Sequence, residues 1–289
     1  MPEMDDRIKR VTAAIIDDYT KGRAIDKENT FSQPEKEAVV DIIEKLQKII
    51  FPGFYRMKDY RYYTVESMAS TLVEDVLFNL IKQISLSLKY CESCDPLNEE
   101  ETAEKAREKA FAFIEKIPSI REYIDTDLQA EYDGDPAAYS KDEIVYSYPG
   151  FYAIVVYRIA HELVRLKVPL IPRMMSEYAQ SCTGIDINPG AEIGKYFFID
   201  HGTGIVIGET TRIGEHVKLY QGVTLGAIST RKGQLLKGKK RHPTIEDNVT
   251  IYAGASILGG DTVIGADSVI GANAFITSSV PSGSRISIV

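Results

Sequence analysis

The second half of the sequence repeats itself every six residues. Apolar residues stand at this step, each followed two positions later by Ala, Gly or Thr: Ile251, Ile257, Val263, Val269 and Phe275. Repeats this short suit brief strands joined by tight turns, with the apolar residue inside and small residues where the chain bends. A β-sandwich also has short Val- and Ile-rich strands, but its loops vary in length. The hexapeptide period therefore favours a parallel β-helix.

The same period extends upstream, and it is interrupted twice. It runs through Ile187, Ile193 and Ile199, then continues two residues out of phase through Ile207, Ile213, Leu219 and Leu225. The second interruption is a basic loop, GAISTRKGQLLKGKKRHPT, between Leu225 and Ile245. Inserted residues leave a solenoid as loops on one face, which is often the binding face. We therefore expect the chemistry at these two interruptions.

Before residue 180 the apolar residues recur at three and four positions, which predicts helices. The clearest segments are 37–51, 68–88, 99–117 (ended by Pro118) and 149–166, whereas 125–143 is a polar stretch. The two periods together predict an α+β chain. An all-α N-terminal domain, 1–180, precedes a parallel β-helix, 181–289, with the basic loop inserted near 227–243. Because a coil must block its ends, we expect the helices to cap one of them.

Composition limits the partners and the location. The net charge of −8 argues against broad binding to nucleic acid or to an anionic membrane, since both need an excess of Lys and Arg. No apolar run approaches the roughly 20 residues that cross a bilayer, and MPEMDDRIKR does not resemble a signal peptide, so we expect a cytoplasmic protein. Cys91, Cys94 and Cys182 suit reduced thiols better than disulfides, and CESC lacks the partners of a metal site.

Two of the four histidines lie in the interruptions, where His201 follows Asp200 and His242 follows Arg241. Histidine is the natural general base near neutral pH, and a carboxylate on its far nitrogen fixes the tautomer. Three candidate carboxylates lie close in sequence or fold: Asp186, Asp200 and Glu209. Asp186 lies about one coil before His201, so the two could meet across stacked strands. Asp200 should point to the opposite side, as adjacent strand residues do. Alternatively, Asp186 only caps a turn.

With these residues in place, the chain resembles the serine O-acetyltransferases, a family of hexapeptide-repeat acyltransferases. The resemblance covers about 135–280 and rests on DPAAYS (135–140), YPGFYAIVVYRIAHEL (148–163), GIDINPGAEIG (184–194), IDHGTGIVIGET (199–210), GVTLGA (222–227) and KRHPTI (240–245). It implies that the β-helix is left-handed and that the chains form homotrimers, which can pair into hexamers. It also implies active sites between neighbouring β-helices.

The resemblance further implies a reaction and its residues. Acetyl would pass from acetyl-CoA to the hydroxyl of L-serine, giving O-acetyl-L-serine for cysteine synthesis, with His201 as general base and Asp186 as its partner. The implied substrate ligands are Asp135 and Asp200 for the ammonium, Arg241 for the carboxylate, and His242. Contacts along the CoA arm are implied at Gly226, Ala227, Ala253 and Lys240.

Regulation and partners follow from the same resemblance. L-Cysteine is expected as a feedback inhibitor. Binding to O-acetylserine sulfhydrylase is in doubt, because the chain ends at SGSRISIV without the isoleucine-terminated tail that docks into that enzyme.

Other functions remain open at the level of sequence. One is a hexapeptide acetyltransferase acting on a sugar or another small acceptor, which would not need Asp135, Asp200 and Arg241 to bracket an amino acid. Another is a non-catalytic β-helix scaffold. A metal hydratase on this fold needs clustered histidines, and those here are scattered, so no metal is expected.

Overall fold

The computed structural model describes residues 2–26, 33–55, 64–89 and 98–287. They form two compact units, Met1–Gln33 and Pro34–Val289. The first unit contains helix α1 (Pro2–Tyr19), and Cys91 and Cys94 fall outside the described residues. No helix in the described parts of the chain has the length and hydropathy needed to cross a bilayer.

The described part of the second unit begins with helices. These are α2 (Lys36–Ile50), α3 (Val65–Lys89), α4 (Glu99–Ile114), α5 (Ile117–Gly134), α6 (Lys141–Ser147), α7 (Pro149–Arg165) and α8 (Ile171–Thr183). The prediction of one helix over 99–117 was wrong at its end. Pro118 does not stop that helix but lies in the first turn of α5, where a missing N–H costs nothing.

The polar stretch is also different from the prediction, because α5 continues through it to Gly134. The buried residues of α5 recur at three and four positions: Ile117, Ile120, Ile124, Asp127 and Glu131. The helical period is therefore present, but carboxylates occupy its last two buried positions. A search for apolar periodicity could not detect it.

Short parallel strands follow α8 and stack into three sheets. The first sheet contains β1 (Asp186–Ile187), β4 (Val206–Ile207), β7 (Thr224–Gly226), β10 (Ser256–Leu258) and β13 (Phe275–Ile276). The second contains β2 (Glu192–Ile193), β5 (Arg212–Ile213), β8 (Thr244–Ile245) and β11 (Val263–Ile264). The third contains β3 (Phe198–Asp200), β6 (Lys218–Tyr220), β9 (Thr250–Ile251), β12 (Val269–Ile270) and β14 (Arg285–Ile286).

Up to β13, each sheet receives every third strand, so the chain winds as a three-sided coil of about five turns. Between β13 and β14 the second sheet is continued only by an isolated bridge between Ile264 and Val280. The predicted fold class, α+β with helices followed by a left-handed parallel β-helix, is confirmed. The predicted domain boundary at 180/181 falls inside the second compact unit and stays a prediction.

One part of the repeat prediction was wrong by a residue. The buried core position moves from Ile257 to Ile264, a step of seven, and then continues at Ile270 and Ile276. Val263 and Val269 are consequently only partly buried, and Phe275 is 72% exposed. Because side chains alternate along a strand, one extra residue turns the predicted inside positions outward.

The helices cap the first coil, as expected. β3 is the edge strand of the third sheet, and α5 accepts hydrogen bonds from amides in and just before it. The Phe197 amide donates to Asp127 at 2.9 Å, and the Ile199 amide donates to Glu131 at 3.4 Å. Arg158 of α7 binds both oxygens of Asp127 at 2.9 and 3.0 Å. These bonds satisfy edge amides that would otherwise be unpaired in a buried place.

Candidate active site

The predicted site residues lie mainly at two corners of the coil. Corner I comprises the turns from the third to the first sheet, residues 201–205, 221–223 and 252–255. Corner II comprises the turns from the first to the second sheet, residues 208–211, 227–243 and 259–262. Because every strand of the first sheet runs from corner I to corner II, the sheet separates the two corners.

The phase slip of the sequence opens corner I in the first coil. Asp200 pairs with Tyr220, and Val206 pairs with Thr224. In the first coil, five residues (201–205) connect Asp200 to Val206. One coil later, three residues (221–223) connect the paired positions Tyr220 and Thr224. The two additional residues form a bulge that begins at His201.

His201 projects from this bulge. Its backbone is left-handed, with φ 58°, and its side chain is 71% exposed. The Nδ1 atom lies 3.5 Å from Oδ1 of Asp200. The sequence argument placed these two side chains on opposite sides, but His201 has already left the strand, so strand alternation does not apply to it.

Asp186, the predicted partner of His201, begins β1 and is half-buried. Burial is the main cause that raises the pKa of Asp186, while Arg173 opposes the shift. Within the described residues, only Asp200 brings a carboxylate within 4 Å of a His201 nitrogen. The pairing of His201 with Asp186 therefore stays a prediction.

Asp135 ends α5 beside corner I. Its two oxygens accept hydrogen bonds from the Tyr148 hydroxyl at 2.6 Å and from the Ala137 amide at 2.8 Å. These bonds lower the pKa of Asp135, and the positive charge of Lys218 acts in the same direction. Asp135 is therefore held as a carboxylate that can bind a cation.

Glu131 lies one turn before Asp135 on α5, and the sequence did not predict it as part of the site. It is fully buried, one oxygen accepts the Ile199 amide, and the other has no hydrogen-bond partner among the described residues. Burial raises the pKa of Glu131 well above its ordinary value. The available signal was its position, four residues after Asp127 and seven after Ile124 on one face of α5.

His242 lies at corner II and is only 8% exposed. Its Nδ1 accepts the Thr210 amide at 3.0 Å, which leaves the neutral ring protonated on Nε2. Burial, followed by the charge of Arg241, lowers the pKa of His242 to about 4. The ring packs against Gly208, where an added Cβ would come within 2.1 Å of it, so only glycine fits.

The other basic residues of corner II are also held. Arg241 forms an ion pair with Glu209. The Lys240 ammonium donates to the Thr210 carbonyl at 2.7 Å and to the Pro243 carbonyl at 3.0 Å. Lys240 thus anchors the end of the basic loop to the coil, and its predicted contact with CoA stays a prediction.

The residues predicted along the CoA arm are divided between the corners. Gly226 ends β7 directly before corner II, Ala227 lies at corner II, and Ala253 lies at corner I. The Gly226 carbonyl accepts the Gly259 amide at 3.0 Å. In the described ranges, no group of three or more His, Cys, Asp and Glu side chains is placed to hold a metal ion.

Fold and site together define a class of protein. A left-handed hexapeptide β-helix with an exposed histidine and nearby carboxylates at an opened coil is the arrangement of the hexapeptide-repeat acyltransferases.

Similar proteins identify the family. The chain is 44% identical over 260 residues to the plasmid serine acetyltransferase of Synechococcus elongatus, covering 88% of this chain and 81% of that protein. It is 48% identical over 129 residues to the serine acetyltransferase of Bacillus subtilis, covering 45% of this chain and 57% of that protein. The chain belongs to the serine acetyltransferase family, and it is therefore an acyltransferase. No family model matches it.

Solved structures of serine acetyltransferases also resemble this chain. Serine acetyltransferase 1 of Entamoeba histolytica, in complex with L-cysteine, matches with a TM-score of 0.74 and 35% identity over 99% of this chain and 100% of that one. Neisseria gonorrhoeae serine acetyltransferase, in complex with serine, matches with a TM-score of 0.56 and 27% identity over 86% and 95%. The resemblance found in the sequence is confirmed.

Proposed function

We propose that this chain transfers the acetyl group of acetyl-CoA to the hydroxyl of L-serine, giving O-acetyl-L-serine for cysteine synthesis. The observation that carries the proposal is the opened coil at corner I, where exposed His201 lies beside Asp200 and near Asp135. The related Neisseria structure, which contains serine, supports the acceptor. The Entamoeba structure, which contains L-cysteine, supports inhibition by that amino acid.

His201 acts as the general base. It removes the proton of the serine hydroxyl, and the oxygen attacks the carbonyl carbon of the thioester. When the tetrahedral intermediate collapses, the carbon–sulfur bond breaks and the departing thiolate takes the proton from the imidazolium. A positioned base accounts for roughly a hundred- to ten-thousandfold in rate, so orientation of the two substrates supplies the rest.

The carboxylates of the site have two different roles, binding the substrate and orienting His201. Asp135 and Asp200 bind the serine ammonium, and the bonds from Tyr148 and Ala137 keep Asp135 ionised for this. Asp186 orients His201 when substrate occupies Asp200. In support, the neighbouring Ile185 lies directly beneath the bulge, since a Cβ on Gly202 would come within 2.4 Å of its side chain.

The complete site needs two chains. Arg241, proposed to bind the serine carboxylate, and His242 lie at corner II, across the first sheet from His201. We place the site where corner I of one chain faces corner II of its neighbour in a homotrimer. The CoA arm is then lined by Ala227 and Lys240 of corner II, by the adjoining Gly226 of β7, and by Ala253 of corner I. Pairing of trimers and a cytoplasmic location stay predictions of the sequence.

A steady-state assay of CoA thiol release tests the proposal. We expect saturable release with L-serine, none with L-alanine, which lacks the hydroxyl, and inhibition by L-cysteine. Simple sugars should not replace L-serine. A response that does not depend on L-serine would overturn the proposed function.

A further inference from the structure

Two tyrosines stack next to corner I, and neither has been given a role above. The ring centroids of Tyr220 and Tyr252 are 4.9 Å apart, with 20° between the ring planes. Asp200 pairs with Tyr220, and Leu219 pairs with Ile251, so Tyr252 lies one coil beyond Tyr220. A column thus leads from Asp200 past both rings toward the later coils.

The rings lie outside the coil and are fixed there. Leu219 and Ile251 are fully buried, so the residues that follow them point outward. The Lys218 ammonium lies 5.1 Å from the Tyr220 centroid, which holds that ring by a cation–π contact. Tyr252 is 41% exposed. Among the described residues, neither tyrosine hydroxyl has a hydrogen-bond partner. Because the two rings stack face to face from one coil to the next, their edges line this wall.

The position of the serine pocket decides how a second substrate reaches it. The pocket lies in the first coil, and α5 covers the edge of that coil through Asp127 and Glu131. We therefore expect the acyl donor to extend along the later coils, which α5 does not cover. Coils are about 4.8 Å apart, so the column from Asp200 to Tyr252 spans roughly 10 Å.

The chemistry of the arm suits such a wall. The arm of CoA next to the thioester is a chain of methylene and amide groups, which packs well against aromatic side chains. The nucleotide lies at the far end of that arm. Ala253, predicted along the CoA arm, directly follows Tyr252.

We propose that Tyr220 and Tyr252 form the wall of the groove that binds the pantetheine arm of the acyl donor, with Tyr252 supplying the exposed contact. The inference rests on the proposed acetyl transfer. It adds two residues that determine donor affinity, and it assigns the rings to the arm rather than to the nucleotide.

The test compares Tyr252→Ala, Tyr252→Phe and the matched control Tyr132→Ala, whose tyrosine is also 41% exposed but lies on α5. We would measure the Kd of CoA by calorimetry, without serine, and the KM of acetyl-CoA and of acetyl-pantetheine, which lacks the nucleotide. Loss of one aromatic contact should raise each value roughly two- to tenfold in Tyr252→Ala. Tyr252→Phe, Tyr132→Ala and the KM of L-serine should change little.

The outcomes separate this inference from the proposed function. An equal rise for acetyl-CoA and acetyl-pantetheine supports the arm contact. A higher KM for acetyl-CoA alone would mean that the rings contact the nucleotide, which overturns the inference. An unchanged Kd of CoA would also overturn it. Failure of the wild-type chain to acetylate L-serine would instead overturn the proposed function, whereas the CoA titrations would still report on the wall. Thermal melting of all variants excludes a folding defect.

Discussion

His201 and His242 lie in the two insertions that the sequence shows in the hexapeptide period, but their surroundings in the fold are opposite. The His201 side chain is 71% exposed and its backbone is left-handed. His242 is 8% exposed and accepts the Thr210 amide through Nδ1. Of these two histidines, only His201 can accept a proton from a substrate without breaking a hydrogen bond of the fold.

The two insertions explain the difference. At corner I, two additional residues make a bulge that keeps His201 outside the coil. At corner II, the long basic loop must return to the coil, and it does so where Lys240 binds backbone carbonyls and His242 packs against Gly208. The length of each insertion and its return path therefore decide whether a histidine there is exposed or is held by the fold.

The largest expected effect is at His201. His201→Asn should lower kcat for L-serine by roughly a hundred- to ten-thousandfold, because no general base remains. Asn tolerates the left-handed backbone, so folding should be kept. His216→Asn is the matched control, since His216 is also exposed with φ 56°. Similar kcat values in the two variants would remove His201 from the chemistry.

A smaller effect is expected at Arg241. Arg241→Ala should raise the KM of L-serine roughly ten- to a hundredfold, because a charge-assisted hydrogen bond to the carboxylate is lost. The KM of acetyl-CoA should change less. Arg212→Ala provides the control, because Arg212 also pairs with a glutamate, Glu192, on the coil surface. If both arginine variants keep the wild-type KM of L-serine, the carboxylate is bound elsewhere.

The smallest effect concerns stability. Burial lowers the pKa of His242 from 6.5 to about 4, so the unfolded chain takes up the proton first as the pH falls. Its contribution to stability is complete above pH 6.5 and is lost as the pH falls toward and through about 4. Urea unfolding should show this extra loss in the wild type and not in His242→Gln. Equal pH dependence would mean that His242 titrates normally.

Sequence periodicity predicted the coil and the place of its openings because core packing repeats with the chain. It could not predict the residues that join different parts of the chain. Asp127 and Glu131 are buried on α5 because they bind the amides of Phe197 and Ile199, a tertiary reason that an apolar pattern does not contain. The single-residue slip before Ile264 was likewise hidden, since Val263 and Ile264 are both apolar.

The candidate site shows the same division. The sequence distinguished His201 and His242 from the other histidines by their position in the interruptions, and the resemblance implied their roles. It did not reveal that His201 turns out of the strand to approach Asp200, because backbone handedness depends on the bulge. The stack of Tyr220 on Tyr252 joins residues one coil apart, beyond the long loop, and so has no local signature.

The central claim is that corner I of one chain and corner II of its neighbour make one site, and subunit mixing tests it most directly. With L-serine below its wild-type KM, His201→Asn and Arg241→Ala should each have little activity alone. Their mixed trimers should recover roughly a quarter of wild-type activity, since a quarter of random interfaces pair an intact corner I with an intact corner II. His201→Asn mixed with Asp135→Asn, both at corner I, should recover none. Mixed trimers, verified by native mass spectrometry, that regain nothing in the first pairing would contradict the account.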